Sequence, residues 1–184
     1  MIYYLKITLL FFAIILSIPC IAQETEIVKT ETSSDKIAEE LNKLEPVTEA
    51  QYKKWLPQKV NNYKLTSHII NGEIDETPKN NMQLVYENKS KKIEIIIVDA
   101  AKDAISLEMI YFAFDMDKQF SKEKTTKQIT NEPHHISKYD EEEKTAQILT
   151  IISKRFGVSA VGKNMNSDEL WAFIKNLKIE KIVN

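Results

Sequence analysis

The sequence predicts a single α+β domain: a mostly antiparallel sheet packed by two main helices, with short helices on its N-terminal side. Three observations carry this. Several segments of strand length alternate apolar and polar residues, or are apolar throughout, and turn residues bound them. Two stretches instead repeat apolar residues at helical spacing: Ala101, Ile105, Met109, Phe112, Met116 and Phe120, then Leu170, Trp171, Ile174 and Leu177. Finally, strands and helices do not alternate regularly, and three glycines in the whole chain cannot supply a phosphate-cradling loop. A doubly wound nucleotide fold is thereby excluded.

The chain opens with Met1–Lys6, an apolar run from Ile7 to Ile18, and Pro19-Cys20-Ile21-Ala22 before the polar Gln23. This is the pattern of a secretory signal peptide over residues 1–22, cut between Ala22 and Gln23. The apolar stretch falls short of the roughly 20 residues of a spanning helix. An uncleaved anchor and a lipoprotein signal lipidated at Cys20 are the alternatives. Pro19 before that cysteine, with Leu16 one place too distant, fits the second poorly. The expected product is exported to the periplasm or the extracellular space, with no membrane span after cleavage. It has lost its only cysteine, so thiol catalysis, thiolate metal sites and disulfides are excluded.

The full chain has a formal net charge of −2, and loss of Lys6 makes the product one unit more negative. Without a basic excess, no nucleic-acid partner is expected. All of the 25 basic residues except Arg155 are lysine.

Residues 23–46 read as a polar tether with a short helix, and 47–184 as the domain. Ile37, Leu41 and Leu44 share one face of the helix, which Pro46 stops. A second helix over Thr48–Leu56 carries a capping box, Thr48 with Gln51, and a buried edge of Tyr52, Trp55 and Leu56. Tyr63–Ile70 is a strand, Asn71-Gly72 a turn, and Glu73–Asn81 a loop that can begin with a short strand. Met82–Glu87 alternates. Lys92–Asp99 is apolar on both faces and therefore central.

A helix is expected over about Asp103–Gln119, with a strand over Ile105–Phe114 as the alternative. Thr125–Thr130 and His134–Tyr139 then form a hairpin about Asn131-Glu132-Pro133. Asp140–Glu143 is an acidic tip before the strand Thr145–Ile152. Arg155–Val161 is a further strand, ended by Gly162. Asn166 or Ser167 caps the last helix, with Glu169 completing a box. Lys178–Val183 returns as a final strand.

The chemical constellations are sparse. His134 and His135 point to opposite faces of a strand and do not readily share a metal, and no helical His-x-x-x-His spacing exists. Asp140–Glu143 lacks the alternating ligands and glycine turn of a calcium loop. No serine-nucleophile elbow is present. No cofactor is expected. Arg155 precedes the small Gly157 and Ser159, which leave space either for an anion beside the guanidinium or for the last helix to pack closely. An internal ion pair with an Asp or Glu is the preferred role for Arg155. The candidate ligand or partner contacts are Arg155, His134, His135 and Tyr139.

Trp55-Leu56-Pro57, Tyr86 before Lys92-Ile93-Glu94-Ile95, Asp99 opening a helix, Lys138-Tyr139, Arg155-Phe156 and a closing Leu-Lys-Ile segment resemble small exported bacterial proteins of unassigned activity. The resemblance spans about Trp55–Ile182, although the glycine-rich turns of that group are largely replaced here. The element order is also similar to the PsbP/Mog1-type sandwich. That similarity implies a sheet between helices and a role in binding and assembly, an analogy of fold alone. The expected function is a non-catalytic binding or accessory module of the cell envelope or extracellular space, taking an envelope protein, a peptide or a lipid-like ligand. The alternative is an envelope hydrolase or metal-dependent enzyme with a site assembled from scattered histidines and carboxylates.

Overall fold

The computed structural model of the chain describes residues 33–74, 77–78, 80–108, 110–111 and 135–183. The signal segment with Cys20, Ala22 and Gln23, the expected strand Thr125–Thr130, and His134 lie outside them. Among the described residues no helix is long and apolar enough to cross a membrane.

Three α-helices are described: α1 (Ser33–Asn42), α2 (Glu49–Trp55) and α3 (Ser167–Leu177). The strands are β1 (Lys59–Val60), β2 (Tyr63–Ile70), β3 (Glu73–Ile74), β4 (Thr77–Pro78), β5 (Asn81–Asn88), β6 (Lys91–Asp99), β7 (His135–Asp140), β8 (Thr145–Ile152) and β9 (Phe156–Lys163). Seven of them form one antiparallel sheet in the order β1-β2-β5-β6-β9-β8-β7, while β3 and β4 make a separate two-stranded hairpin. This is the α+β class with an antiparallel sheet.

β6 is the middle strand, as its apolar run requires. Its Ile93, Ile95 and Ile97 face Tyr86, Leu84 and Met82 on one side and Gly162, Ala160 and Val158 on the other. All nine residues share one sheet face. Tyr52 of α2, Leu170, Phe173, Ile174 and Leu177 of α3, and Ile179 and Ile182 cover that face in one continuous core. Tyr63 and Tyr86 meet the Phe173 ring edge-on, with centroids 5.1 and 5.2 Å away.

The opposite face carries a smaller cluster. Leu41 of α1, Ala100 and Leu107 are buried there, with Ile110, Tyr111 and Ile151 packed on them. The backbone is helical at 105–108 and 110–111, where the 3.6-residue stripe predicts a helix; 109 and the expected continuation from 112 to Gln119 lie outside the described residues. The sheet therefore lies between helices.

Two helix starts follow the sequence closely. Thr48 Oγ1 accepts from Gln51 N while Gln51 Oε1 accepts from Thr48 N, and Asn166 and Glu169 repeat the arrangement on α3. Each box satisfies two amide groups that the first helical turn leaves unbonded. Asn166→Ala is expected to lower the free energy of unfolding by about 1 kcal/mol, read from urea denaturation. An unchanged midpoint would mean that the cap contributes nothing.

Other expectations are corrected. Arg155 does not begin a strand. Ser153 and Lys154 both adopt positive φ (55° and 54°), which folds 153–155 into a tight turn closed by Arg155 N donating to Ile152 O. Gly162 does not end β9 but lies within it, paired with Ile93 and Ala146. Its missing side chain admits Met165, whose Sδ a methyl group there would overlap. The space at Gly157 is filled by Leu107 and Ile110 rather than by the last helix. Leu44 falls beyond the end of α1 and is exposed.

Lys178–Val183 is not a strand. Lys178 takes a left-handed conformation (φ 56°, ψ 49°) that ends α3, and Ile179–Lys181 forms a 3₁₀ turn. Ile179 and Ile182, three residues apart, then reach the core together, a spacing that a strand would split between faces.

Lysines also stand at four other left-handed positions: Lys89, Lys102, Lys144 and Lys154. A side chain costs about 1–2 kcal/mol in that conformation, and glycine removes the cost while losing more backbone entropy on folding. Lys178→Gly is accordingly expected to raise stability by roughly 0.5–1 kcal/mol. A lower thermal midpoint would show that the lysine side chain contributes more than its strain.

Candidate functional site

The strongest polar candidate of the sequence, Arg155, faces Asp99. Asp99 is the last residue of β6, and it carries a carboxylate at the end of the most apolar strand. Its side chain has no exposure and that of Arg155 has 11%. The guanidinium meets it fork to fork: Nε donates to Oδ1 at 2.7 Å and Nη2 to Oδ2 at 2.9 Å.

The carboxylate is shared further. Oδ2 accepts from Val47 N at 2.7 Å and from Asn80 Nδ2 at 3.4 Å, and Oδ1 accepts from Ala101 N at 3.2 Å. Arg155 Nη2 also donates to Glu45 O at 2.8 Å, and Asn80 Nδ2 to Val47 O at 3.1 Å. A peripheral pair, Lys102 with Glu45, lies on the same segment. Four stretches of chain (45–47, 80, 99–101 and 155) are thus bolted together at one point. A buried carboxylate demands this density of donors, because its desolvation is costly unless each lone pair is met. Arg155 has the internal acidic partner that its sequence setting favours.

Beside this pair lies Tyr52, which is fully buried. Burial pushes its hydroxyl well above the ordinary phenol range. The Asp99 charge pushes it further, and Arg155 partly counters this. Tyr86 is raised by burial alone, and its hydroxyl donates to Pro57 O at 2.7 Å. Both phenols stay protonated.

Two of the remaining candidates, His135 and Tyr139, lie on β7, an edge strand of the sheet. His135 and Tyr139 pair with Thr150 and Ala146, so both project on the face that α3 covers. The His135 imidazole stacks on the Trp171 indole, with centroids 4.2 Å apart and planes 20° from parallel. Lys175 Nζ lies 5.8 Å from the same indole centroid, within cation–π range. Tyr139 is 46% exposed, an amphipathic ring open to solvent. The structure therefore brings His135 and Tyr139 onto one face and places Arg155 at the junction with β6.

No family model, curated protein or solved structure matches the chain.

What the site can do rests on its own residues. Among the described residues no group of three or more His, Cys, Asp or Glu side chains is placed to hold a metal ion. The acidic tip is an exposed turn in which Asp140 Oδ1 accepts from the amides of Glu142 and Glu143. In the first turn of α3, Glu169 meets Lys91; their hydrogen bond holds the glutamate below its usual carboxylate range and raises the lysine.

Sequence reasoning missed Asp99 as the partner of Arg155, and it missed the Trp171 stack. The first had a signal: an acid closing an apolar strand is buried with its neighbours and requires a cation. The second had none, since Trp171 reads only as part of a helix core.

Proposed function

We propose that the chain is an exported, non-catalytic binding or accessory module of the cell envelope or extracellular space. Its contact surface is the margin formed by β7 and α3. The observation that carries this reading is the division between the two clusters. Arg155 is committed to Asp99 and the Glu45 carbonyl, whereas Tyr139 offers a solvent-facing ring on the same sheet face as the His135–Trp171 stack. Exposed tyrosine supplies much contact area at little cost in side-chain entropy, and aromatic anchors dominate the energetics of interfaces. Export is supported by the apolar run Ile7–Ile18 ahead of Ala22 and Gln23. The sheet held between helices agrees with the resemblance to PsbP/Mog1-type sandwiches.

The test is a pull-down with the chain from Gln23 onward out of its own envelope extract, followed by titration of the captured partner. Tyr139→Ala is expected to weaken that binding at least about tenfold, the equivalent of 1.4 kcal/mol, with an unchanged thermal midpoint. Binding that is indifferent to Tyr139 and His135 would refute this surface. Stoichiometric metal in the purified protein, lost on His135→Ala, would instead favour a metal-dependent enzyme.

A further inference from the structure

The register of the sheet lines up charges that the sequence scatters. Lys59, Lys64, Glu87, Lys92 and Lys163 are successive pairing partners across β1, β2, β5, β6 and β9. Their chain neighbours Val60, Tyr63, Tyr86, Ile93 and Gly162 belong to the face that α2 and α3 cover, so the row lies on the opposite face. Lys59, Lys64 and Lys163 are exposed, Lys92 is half-buried, and exposed Lys89 follows in the turn between β5 and β6. Two carboxylates answer these five ammonium groups: Glu87 within the row, and Glu94, which meets Lys92 at 2.5 Å. Lys59, Lys64, Lys89 and Lys163 make no ion pair among the described residues. Lys59 stands directly opposite Lys64, and Lys92 directly opposite Lys163, although like charges so placed destabilise a sheet. Two such pairs in one row break a local rule with little compensation inside the domain, which is the mark of a functional surface. The row is about 19 Å across at the usual strand spacing. Thr145 and Asp140 end it on β8 and β7, so the positive charge gathers on one side of the sheet.

We propose that this row docks the domain onto the anionic phospholipid headgroups of a membrane surface. Ammonium groups on flexible stems are point charges that read charge density, not the planar fork geometry that arginine reads. A headgroup layer is fluid in its own plane and can set a phosphate against each of them. Each lysine at such a surface adds about fivefold in affinity. The net charge of −2 opposes this little, because charges more than about 8–10 Å away are largely screened at physiological salt. The row is separate from the β7 and α3 margin, so lipid and a protein partner can be held together.

The full chain, freed of any segment that export removes, is sedimented with vesicles of phosphatidylcholine, alone or mixed with phosphatidylglycerol. Capture by the anionic vesicles in excess of the neutral ones, weakening as salt rises, is expected. Lys59→Glu with Lys64→Glu should cut that capture at least about tenfold. Lys43→Glu with Lys54→Glu, equal in charge but placed past α1 and on α2, should change it little. Lys64→Gln with Lys163→Gln repeats the test should the first pair fail to fold. Equal capture by both kinds of vesicle, or equal losses in the row and control variants, overturns the proposal. Binding to soluble dextran sulfate without capture by anionic vesicles also overturns it, and would mark a site for a free polyanion.

Discussion

Asp99→Ala is expected to lower the free energy of unfolding by about 3–5 kcal/mol, the usual consequence of removing one member of a buried ion pair. That is a large share of the roughly 5–15 kcal/mol available to a domain. The loss has two parts. Arg155, with little exposure, is left with an uncompensated charge, and the amides of Val47 and Ala101 lose their acceptor. The converse change is milder. Arg155→Met leaves the Asp99 carboxylate three N–H donors, from Val47, Ala101 and Asn80, and offers a chain of similar reach to the Phe156 ring. Urea denaturation of the two variants should therefore rank Asp99→Ala well below Arg155→Met. The reverse order would mean that the guanidinium, and not the carboxylate, organises the junction. Arg155→Lys adds a control, because an ammonium cannot span both carboxylate oxygens and the Glu45 carbonyl in one geometry. Lost stability in that variant marks the internal pair, whereas a lost partner with stability intact would mark a contact residue.

Phe173→Ala is expected to cost about 3–5 kcal/mol, combining lost transfer energy with the cavity left behind. Phe173 is buried at the point where α3 meets both β2 and β5, with the Tyr63 and Tyr86 rings against its own. Those two rings are rigid, and the Tyr86 hydroxyl is tied to Pro57 O, so they do not swing in to refill the space. Edge-on aromatic pairs add a further increment of about 0.5–1.5 kcal/mol beyond area. The matching control is Leu44→Ala, a large apolar residue left exposed beyond α1, for which a change within about 0.5 kcal/mol is expected. Equal losses at the two positions would show that apolar content rather than packing holds the domain.

The helix starts were legible because a capping box is local chemistry: Thr48 with Gln51, and Asn166 with Glu169, identify themselves within four residues. β6 was legible for a different reason, since a strand with isoleucine on both faces has few places to go but the middle of a sheet. The turn after β8 and the end of α3 were not. Both depend on left-handed backbone at Ser153, Lys154 and Lys178, and neither serine nor lysine announces that conformation as glycine does. With three glycines in the chain, the usual punctuation is missing, and strand limits near Arg155 and Gly162 were displaced accordingly. Of the candidate site, Arg155 stood out by its rarity, but its partner lies 56 residues away in sequence. Tyr139 was a plausible contact from its strand alone. The Trp171 stack became visible only once β7 and α3 were placed together.

The order of strands divides the sheet into two halves. β1, β2, β5 and β6 are neighbours joined largely by close connections, and so are β7, β8 and β9; a single ladder, from Lys92↔Lys163 to Asp99↔Phe156, joins them. Each half can zip by itself on the time scale of hairpins, whereas the seam must wait for two distant parts of the chain to meet. The Asp99–Arg155 bond stands at one end of that seam, and the N-terminal segment is anchored to it. Completion of the seam is thus the step expected to be slow in folding, with the anchorage of α1 and α2 expected to follow its closure.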